Sequence, residues 1–158
     1  MGVSGCGKST VGKLLADRLG WEFYDGDDFL PPADIAKMTA DIPLDDSDRA
    51  PWLARLHALI ADCLHQNRPG VLACSALKQK YRDTLLQGNP GLRFIYLKGD
   101  YDTILARISA RHNHFMKSEM LKSQFAALEE PADALVVDVR LSPEQMVEFI
   151  LKNNAGVS

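Results

Sequence analysis

Residues 2–9 run Gly2-Val3-Ser4-Gly5-Cys6-Gly7-Lys8-Ser9 and fit the pattern of glycine, four residues, glycine, lysine and serine or threonine. In such a loop the glycines let consecutive backbone N–H groups turn inward around a polyphosphate, and the helix that follows adds its positive amino end. Lys8 is expected to reach the β- and γ-phosphates, and the Ser9 hydroxyl to bind Mg²⁺. A chance glycine-rich helix start is the alternative, but helical spacing from Lys8 to Leu19 favours a nucleotide loop made of residues 2–9 with Thr10.

A strand normally precedes this pattern, whereas only Met1 stands before Gly2. That strand is central in a sheet with helices on both faces, so without it the neighbouring strands are expected to lack a partner. Two interpretations stay open. Either Met1 was originally internal to a longer chain, which we favour, or an unusual sheet forms without the strand.

Short apolar runs alternate with helical patterns along the rest of the chain. This alternation predicts one α/β domain over residues 1–158, a doubly wound parallel sheet with helices on both faces. Ser47 or Asp48 is expected to cap the long central helix, and Ser142 with Pro143 to start the last one. The predicted strands are 21–24, 71–76, 94–97 and 135–138, and the predicted helices include 32–38, 80–86, 101–111 and 121–128.

Composition excludes several classes of protein. The chain has 158 residues, 46% of them hydrophobic and 25% charged, which is typical of a soluble globular domain that can bury a core. Its 18 basic and 21 acidic residues give a net charge of −3 without a basic block, so nucleic acid is not expected as a partner. The apolar runs are too short to span a membrane. Three cysteines in different contexts predict free thiols in a reducing cytoplasm.

An acidic turn, Asp25-Gly26-Asp27-Asp28, follows the first visible strand at the sheet edge where such folds place ligands. In extended backbone Asp25 and Asp27 point to one side. One could hold Mg²⁺ through water and the other accept a proton from a substrate hydroxyl. The alternative is a solvated acidic turn, and Asp28 is expected to be solvated only.

Cations gather at other strand and helix ends, which suggests an anionic substrate. Arg49 lies at the start of a long helix, where a cation opposes the helix dipole, although a surface salt bridge to Asp45 or Asp46 would also explain it. Cys74-Ser75-Ala76-Leu77-Lys78 and Lys80-Tyr81-Arg82 follow a strand. Arg107, Arg111, His112 and His114 could form a lid that delivers guanidinium groups to a transferring phosphoryl group, or a solvated basic helix end.

Taken together, these segments resemble the gluconokinase family, small kinases close to shikimate kinase in fold. Most of the chain takes part in the resemblance. The chain departs from the family pattern at five positions, which are Leu30, Asp34, Asp41, Asn113 and Ala126. The segments that carry it are Asp25 to Asp28, Ile35-Ala36-Lys37-Met38, Pro43-Leu44 with Asp46, Asp48-Arg49, Pro51-Trp52-Leu53, Cys74 to Lys78, Tyr81-Arg82-Asp83, His114-Phe115-Met116 and Ser123-Gln124-Phe125.

The resemblance implies ATP-dependent phosphorylation of D-gluconate to 6-phospho-D-gluconate by a P-loop kinase. A shikimate-type or nucleoside-monophosphate-type kinase, or a nucleotide-binding protein without turnover, stays open. The resemblance also implies an acceptor-binding region near residues 26–70, a lid near 111–131 and a homodimer as one form of assembly. The implied roles are Asp27 as base or substrate anchor, Arg49, Lys78, Arg82 and His114 as acceptor contacts, Arg107 as a nucleotide contact and Arg111 as the lid arginine.

Overall fold

The computed structural model describes residues 1–40, 42–110 and 117–153. Strands and helices alternate along these ranges, as the sequence predicts. The strands are β1 (Glu22–Asp25), β2 (Gly70–Ala73), β3 (Ile95–Lys98) and β4 (Leu135–Asp138). The α-helices are α1 (Lys8–Leu19), α2 (Pro32–Thr39), α3 (Asp46–His65), α4 (Gln79–Leu86), α5 (Tyr101–Ser109), α6 (Lys117–Ala127) and α7 (Pro143–Asn153).

All strand pairing within the described ranges is parallel, which confirms the predicted sheet type. β1 pairs with β2, with Phe23 opposite Val71, and β3 pairs with β4, with Ile95 opposite Leu135. The two pairs form separate two-stranded sheets, because β2 and β3 do not hydrogen-bond to each other. This division lies where the sequence predicts that neighbouring strands lack a central partner.

The ends of several elements differ from the sequence prediction for local reasons. β2 stops at Ala73, before the predicted end at Ala76, because its partner β1 ends at Asp25, opposite Ala73, and the backbone of Ala76 then turns to a positive φ of 44°. The prediction of Ser47 or Asp48 as the cap of α3 is wrong. Asp45 is the cap: its side chain accepts from the Asp48 N–H at 2.9 Å, and the Asp48 side chain accepts from the Asp45 N–H at 3.0 Å.

Two apolar clusters hold the helices on the strands. The first joins α1, α5 and α7 to β3 and β4, and Ile104 and Val137 are fully buried within it. The second joins α3 and α4 to the residues that follow β2, and Leu56 is fully buried there. The site described below lies where the amino ends of α1 and α3 come near the ends of β1 and β2.

None of the helices in the described ranges is both long enough and apolar enough to cross a bilayer.

Candidate active site

Residues 2–9 form a loop whose backbone can surround an anion. Gly5 and Gly7 have φ values of 81° and 100°, a region that side chains other than that of glycine rarely tolerate. The buried side chains of Val3 and Cys6 fix the loop in the first apolar cluster. No side chain caps the start of α1 at Gly7, so the first N–H groups of the helix are available to an anion.

The side chains of Lys8 and Ser9 make different contacts beside this loop. The Lys8 ammonium donates to the Val3 carbonyl at 2.8 Å and therefore lies across the loop. The Ser9 hydroxyl donates to Asp25 Oδ2 at 2.9 Å, which places a hydroxyl and a carboxylate side by side. This contact brings together the two residues predicted to hold the metal. Oxygen donors of this kind suit Mg²⁺. Thr10 follows them on α1 with an exposed side chain.

A hydrogen bond from α3 holds the acidic turn in place. The Trp52 indole N–H donates to the Gly26 carbonyl at 2.7 Å in a buried contact. A Cβ on Gly26 would lie 2.8 Å from the Ala73 carbonyl oxygen, so β2 leaves room only for glycine. The Asp27 N–H donates to Asp25 Oδ1 at 3.1 Å. These contacts set the position of the Asp27 backbone relative to the phosphate loop.

The environment of Asp27 favours its protonated form. Partial burial of the carboxyl group raises its pKa, the negative charge of Asp25 adds to the shift, and the Lys8 ammonium opposes it. The side chain is still exposed to solvent. A carboxylate with a raised pKa, open to an incoming hydroxyl, is suited to accept a proton.

The Asp46 carboxylate accepts hydrogen bonds from several nearby side chains. It accepts from Lys80, from the Tyr81 hydroxyl and, at 3.1 Å, from Lys78. These hydrogen bonds, with that of Lys80 the strongest, hold the pKa of Asp46 well below its usual range. Lys78, predicted as an acceptor contact, is therefore engaged in an ion pair, although its side chain stays partly exposed.

Arg49 differs from these lysines because its charge is not matched. Its guanidinium lies 5.8 Å from the centre of the Tyr81 ring and, within the described ranges, makes no hydrogen bond or ion pair. The salt bridge that would have explained Arg49 as a surface residue is not formed. Asp45 binds the Ser47 hydroxyl and the Asp48 N–H instead, and Asp46 binds the lysines.

Arg82 does not fit the expected role of acceptor contact. It is 2% exposed, and its guanidinium donates to the Ala76 carbonyl at 2.9 Å and to the Leu77 carbonyl at 3.0 Å. It also donates to Gln79 Oε1 at 2.7 Å and to the Glu129 carbonyl at 2.8 Å. Arg82 therefore connects the start of α4 to the segment after α6, and both terminal nitrogens of its guanidinium are already hydrogen-bonded.

The residues predicted for the lid are only partly described. Arg111, His112, Asn113 and His114 lie outside the described ranges. Arg107 is half-buried on α5, and its guanidinium donates to the Val139 carbonyl.

Gln124 has no role among the residues predicted for the site, although its Oε1 accepts from the Ser4 N–H at 2.6 Å and so connects α6 to the phosphate loop. The spacing of residues along α6 could have indicated this contact. Gln124 lies three residues after the buried Leu121, so it shares the inward face of α6.

The chain is similar to known kinases in both sequence and structure. A family model described as shikimate kinase matches residues 4–154. The thermosensitive gluconokinase of Escherichia coli is 50% identical over 131 residues, covering 83% of this chain and 70% of that protein. The thermoresistant gluconokinase of the same organism is 48% identical over 143 residues, covering 88% and 82%. A crystal structure of a gluconokinase from Sinorhizobium meliloti aligns with a TM-score of 0.86 at 41% identity, covering 96% and 87%.

Proposed function

The chain belongs to the gluconokinase family, and from this premise we propose that it transfers the γ-phosphoryl group of ATP to D-gluconate, forming 6-phospho-D-gluconate and ADP. The observation that carries the proposal is the identity of 48–50% with two gluconokinases over more than four fifths of the chain. The phosphate loop, the acidic turn and the unmatched Arg49 supply the parts that such a reaction needs.

On the nucleotide side, the backbone N–H groups of residues 2–9 that are not already bonded to Ser75, Gln124 or Val3 would hold the polyphosphate, together with the amino end of α1. Lys8 would leave the Val3 carbonyl and bind the β- and γ-phosphates, where it neutralises charge that grows as the phosphoryl group moves. Arg107 would contact the nucleotide from α5. The resemblance supports Arg111 as a further cation at the transferring group.

Ser9 and Asp25 would hold Mg²⁺, because their oxygens already lie together beside the loop. A divalent cation bound there would neutralise part of the charge on the phosphates. Asp25 has a second task that does not depend on the metal, since its other oxygen accepts the Asp27 N–H and orients the acidic turn.

On the acceptor side, Asp27 would accept the proton of the attacking hydroxyl. The hydroxyl oxygen forms the new bond to the γ-phosphorus, and the bond from that phosphorus to the β–γ bridging oxygen breaks, so ADP leaves with the electron pair. Arg49 would bind the gluconate carboxylate, because no carboxylate of the described ranges pairs with its guanidinium, which lies beside the Tyr81 ring. Lys78 and His114 would add contacts, the second supported by the resemblance alone.

The three cysteines, Cys6, Cys63 and Cys74, are all free, which supports a reducing cytoplasmic location for the reaction.

A panel of acceptors tests the proposal. ATP turnover is measured with D-gluconate, shikimate and AMP in parallel, with ³¹P NMR to identify the phosphorylated product. We expect turnover with D-gluconate and a phosphomonoester product, and little with the other two acceptors. Turnover with shikimate or AMP in its place would assign a different kinase reaction. Tight ATP binding without turnover for any acceptor would mean a nucleotide-binding protein.

A further inference from the structure

Asp46 and Arg49 lie three residues apart at the start of α3, yet they make no ion pair with each other. Side chains at this spacing are neighbours on a helix surface, and an acid that precedes a base along the helix normally attracts it. Asp46 binds Lys78, Lys80 and the Tyr81 hydroxyl instead. Side chains at the start of α4 therefore occupy the carboxylate that would otherwise pair with Arg49.

The other acidic residues next to Arg49 are less suited to pair with it. Asp48 directly precedes Arg49, so the two side chains point to different sides of the helix. Asp45 forms the helix cap, in which its carboxylate accepts from the Ser47 hydroxyl and the Asp48 N–H. Asp46 is therefore the acid that is best placed to neutralise Arg49.

Tyr81 is held in place by burial. Its side chain is 6% exposed and belongs to the second apolar cluster, as do Trp52 and Leu56. Burial raises the pKa of Tyr81 to about 12, and the hydrogen bond to Asp46 adds to the shift, so the hydroxyl keeps its proton. The Arg49 guanidinium lies 5.8 Å from the centre of the same ring, within the range of a cation–π contact. Tyr81 thus binds Asp46 through its hydroxyl and supports Arg49 with its ring.

The number of donors at Asp46 compensates for their exposure. An exposed ion pair is weak by itself, and the side chains of Lys80 and Asp46 are 57% and 46% exposed. The carboxylate nevertheless binds three donors at once, and Arg49 would have to displace some of them to reach it. Removal of donors should therefore release Asp46 towards Arg49.

We propose that Lys80 and Tyr81 are positioning residues for acceptor recognition: by holding Asp46 they prevent it from pairing with Arg49. The guanidinium then stays available to a carboxylate of the acceptor. A guanidinium that is already in place binds a planar carboxylate at less cost than one that must first leave an ion pair. The inference rests on the proposed function for the identity of the acceptor, whereas the pairing of Arg49 is a property of the ligand-free chain.

A double variant tests the proposal. Lys80→Met with Tyr81→Phe removes two of the three donors from Asp46 and keeps the aromatic ring beside Arg49. Asp46→Asn is then added to the double variant, which removes the negative charge that the lost donors had held. Lys80→Met alone is measured as well, because it leaves the buried ring and its hydroxyl unchanged. Circular dichroism and thermal melting establish that each chain is folded.

A similar carboxylate at the opposite end of β1 from Asp25 supplies the matched control. Glu22 accepts from Arg68 at 3.1 Å and from the Tyr24 hydroxyl. Arg68→Met with Tyr24→Phe therefore removes one cation and one phenolic hydroxyl, as the test variant does. The carboxylate that loses these donors has no part in the proposed function.

The first measurement uses the ligand-free protein and does not require turnover. Exchange of the Arg49 Nε–H with water is followed by NMR, and the spectrum of Arg49→Lys assigns the signal. The Arg140 Nε–H, which donates to Asp138 at 2.9 Å, is the internal reference for a paired arginine. We expect Arg49 to exchange about 5-fold or more faster than Arg140 in the unsubstituted chain. Exchange of Arg49 should slow by about 5-fold in the double variant, less in Lys80→Met, and recover when Asp46→Asn is added.

The second measurement is the KM for D-gluconate. The double variant should raise this KM by about 10-fold and leave the KM for ATP unchanged, because only the acceptor has to displace Asp46 from Arg49. Addition of Asp46→Asn should return the KM to within about 3-fold of its original value. The control variant should change neither the exchange of Arg49 nor the KM.

Several results would overturn the proposal. One is an Arg49 Nε–H that is as protected as that of Arg140 in the unsubstituted chain. Another is fast exchange that persists in both the double variant and Lys80→Met, and a third is slowed exchange that Asp46→Asn does not reverse. If the unsubstituted chain does not phosphorylate D-gluconate, the proposed function is wrong, and the exchange of Arg49 still decides whether Lys80 and Tyr81 keep Asp46 away from it.

Discussion

The nucleotide side and the acceptor side of the cleft are built in different ways. The proposed nucleotide side consists of consecutive residues, 2–9, which would bind mainly through backbone groups, with one partner, Asp25, from β1. The proposed acceptor side draws on side chains of separate elements: Asp27 after β1, Arg49 on α3 and Lys78 before α4. The first side can be read from spacing along the chain. The second depends on which charges neutralise one another in the folded protein.

This difference has a kinetic consequence. Changes on the nucleotide side should lower turnover with any acceptor, whereas changes at Arg49 should matter only for an acceptor that carries a carboxylate. The predictions below test this separation.

Lys8→Ala should have the largest effect. The substitution removes the cation proposed to neutralise the β- and γ-phosphates, so kcat should fall by about 10³-fold or more while the fold survives. Steady-state kinetics and circular dichroism check the two parts. Lys13→Ala, on the exposed face of the same helix, is the matched control and should keep its activity. Near-normal turnover in Lys8→Ala would contradict the kinase assignment.

Asp27→Asn should lower kcat by about 10²-fold or more, because the amide keeps the size of the side chain but cannot take the proton. The KM for ATP should change little. An unchanged kcat would move the base elsewhere, with Asp25 the next candidate.

Protein stability gives a second readout of Asp27. Because its pKa is raised in the folded protein, ionisation of the carboxyl group opposes folding at pH values above the folded pKa. Asp27→Asn should therefore not lower the Tm at pH 7 and should raise it slightly. The difference should vanish at a pH below the unfolded pKa, where the carboxyl group is protonated in both states. A lower Tm at pH 7 would show that the ionised carboxylate stabilises the fold.

Arg82→Ala should act on stability rather than on acceptor binding. It leaves the buried carbonyl of Ala76 without a donor and the carbonyl of Leu77 with only the Glu129 N–H, so the free energy of unfolding should fall by about 2–4 kcal/mol. Urea unfolding measures this change. Arg68→Ala, which removes an exposed ion pair with Glu22, is the control and should cost less than about 1 kcal/mol. If the stability is unchanged and the KM for gluconate rises, Arg82 contacts the acceptor and this account of its role is wrong.

The sequence predicted the fold and the glycine turns of residues 2–9 well because both depend on local patterns. α1 and β4 have the predicted bounds, since their hydrophobic spacing is uninterrupted. The acceptor side was harder to predict because every cation there could be either free or paired. Only the fold shows that Lys78 is held by Asp46, that Arg82 is buried among carbonyls, and that Gln124 reaches the phosphate loop.

The most direct test of the separation between the two sides compares D-gluconate with D-glucitol, in which a neutral hydroxymethyl group replaces the carboxylate. kcat/KM is measured for both acceptors with the unsubstituted chain and with Arg49→Ala. We expect the unsubstituted chain to prefer D-gluconate strongly, and Arg49→Ala to lose about 10- to 100-fold of that preference with an unchanged KM for ATP. A preference that survives the substitution intact would show that Arg49 does not recognise the carboxylate.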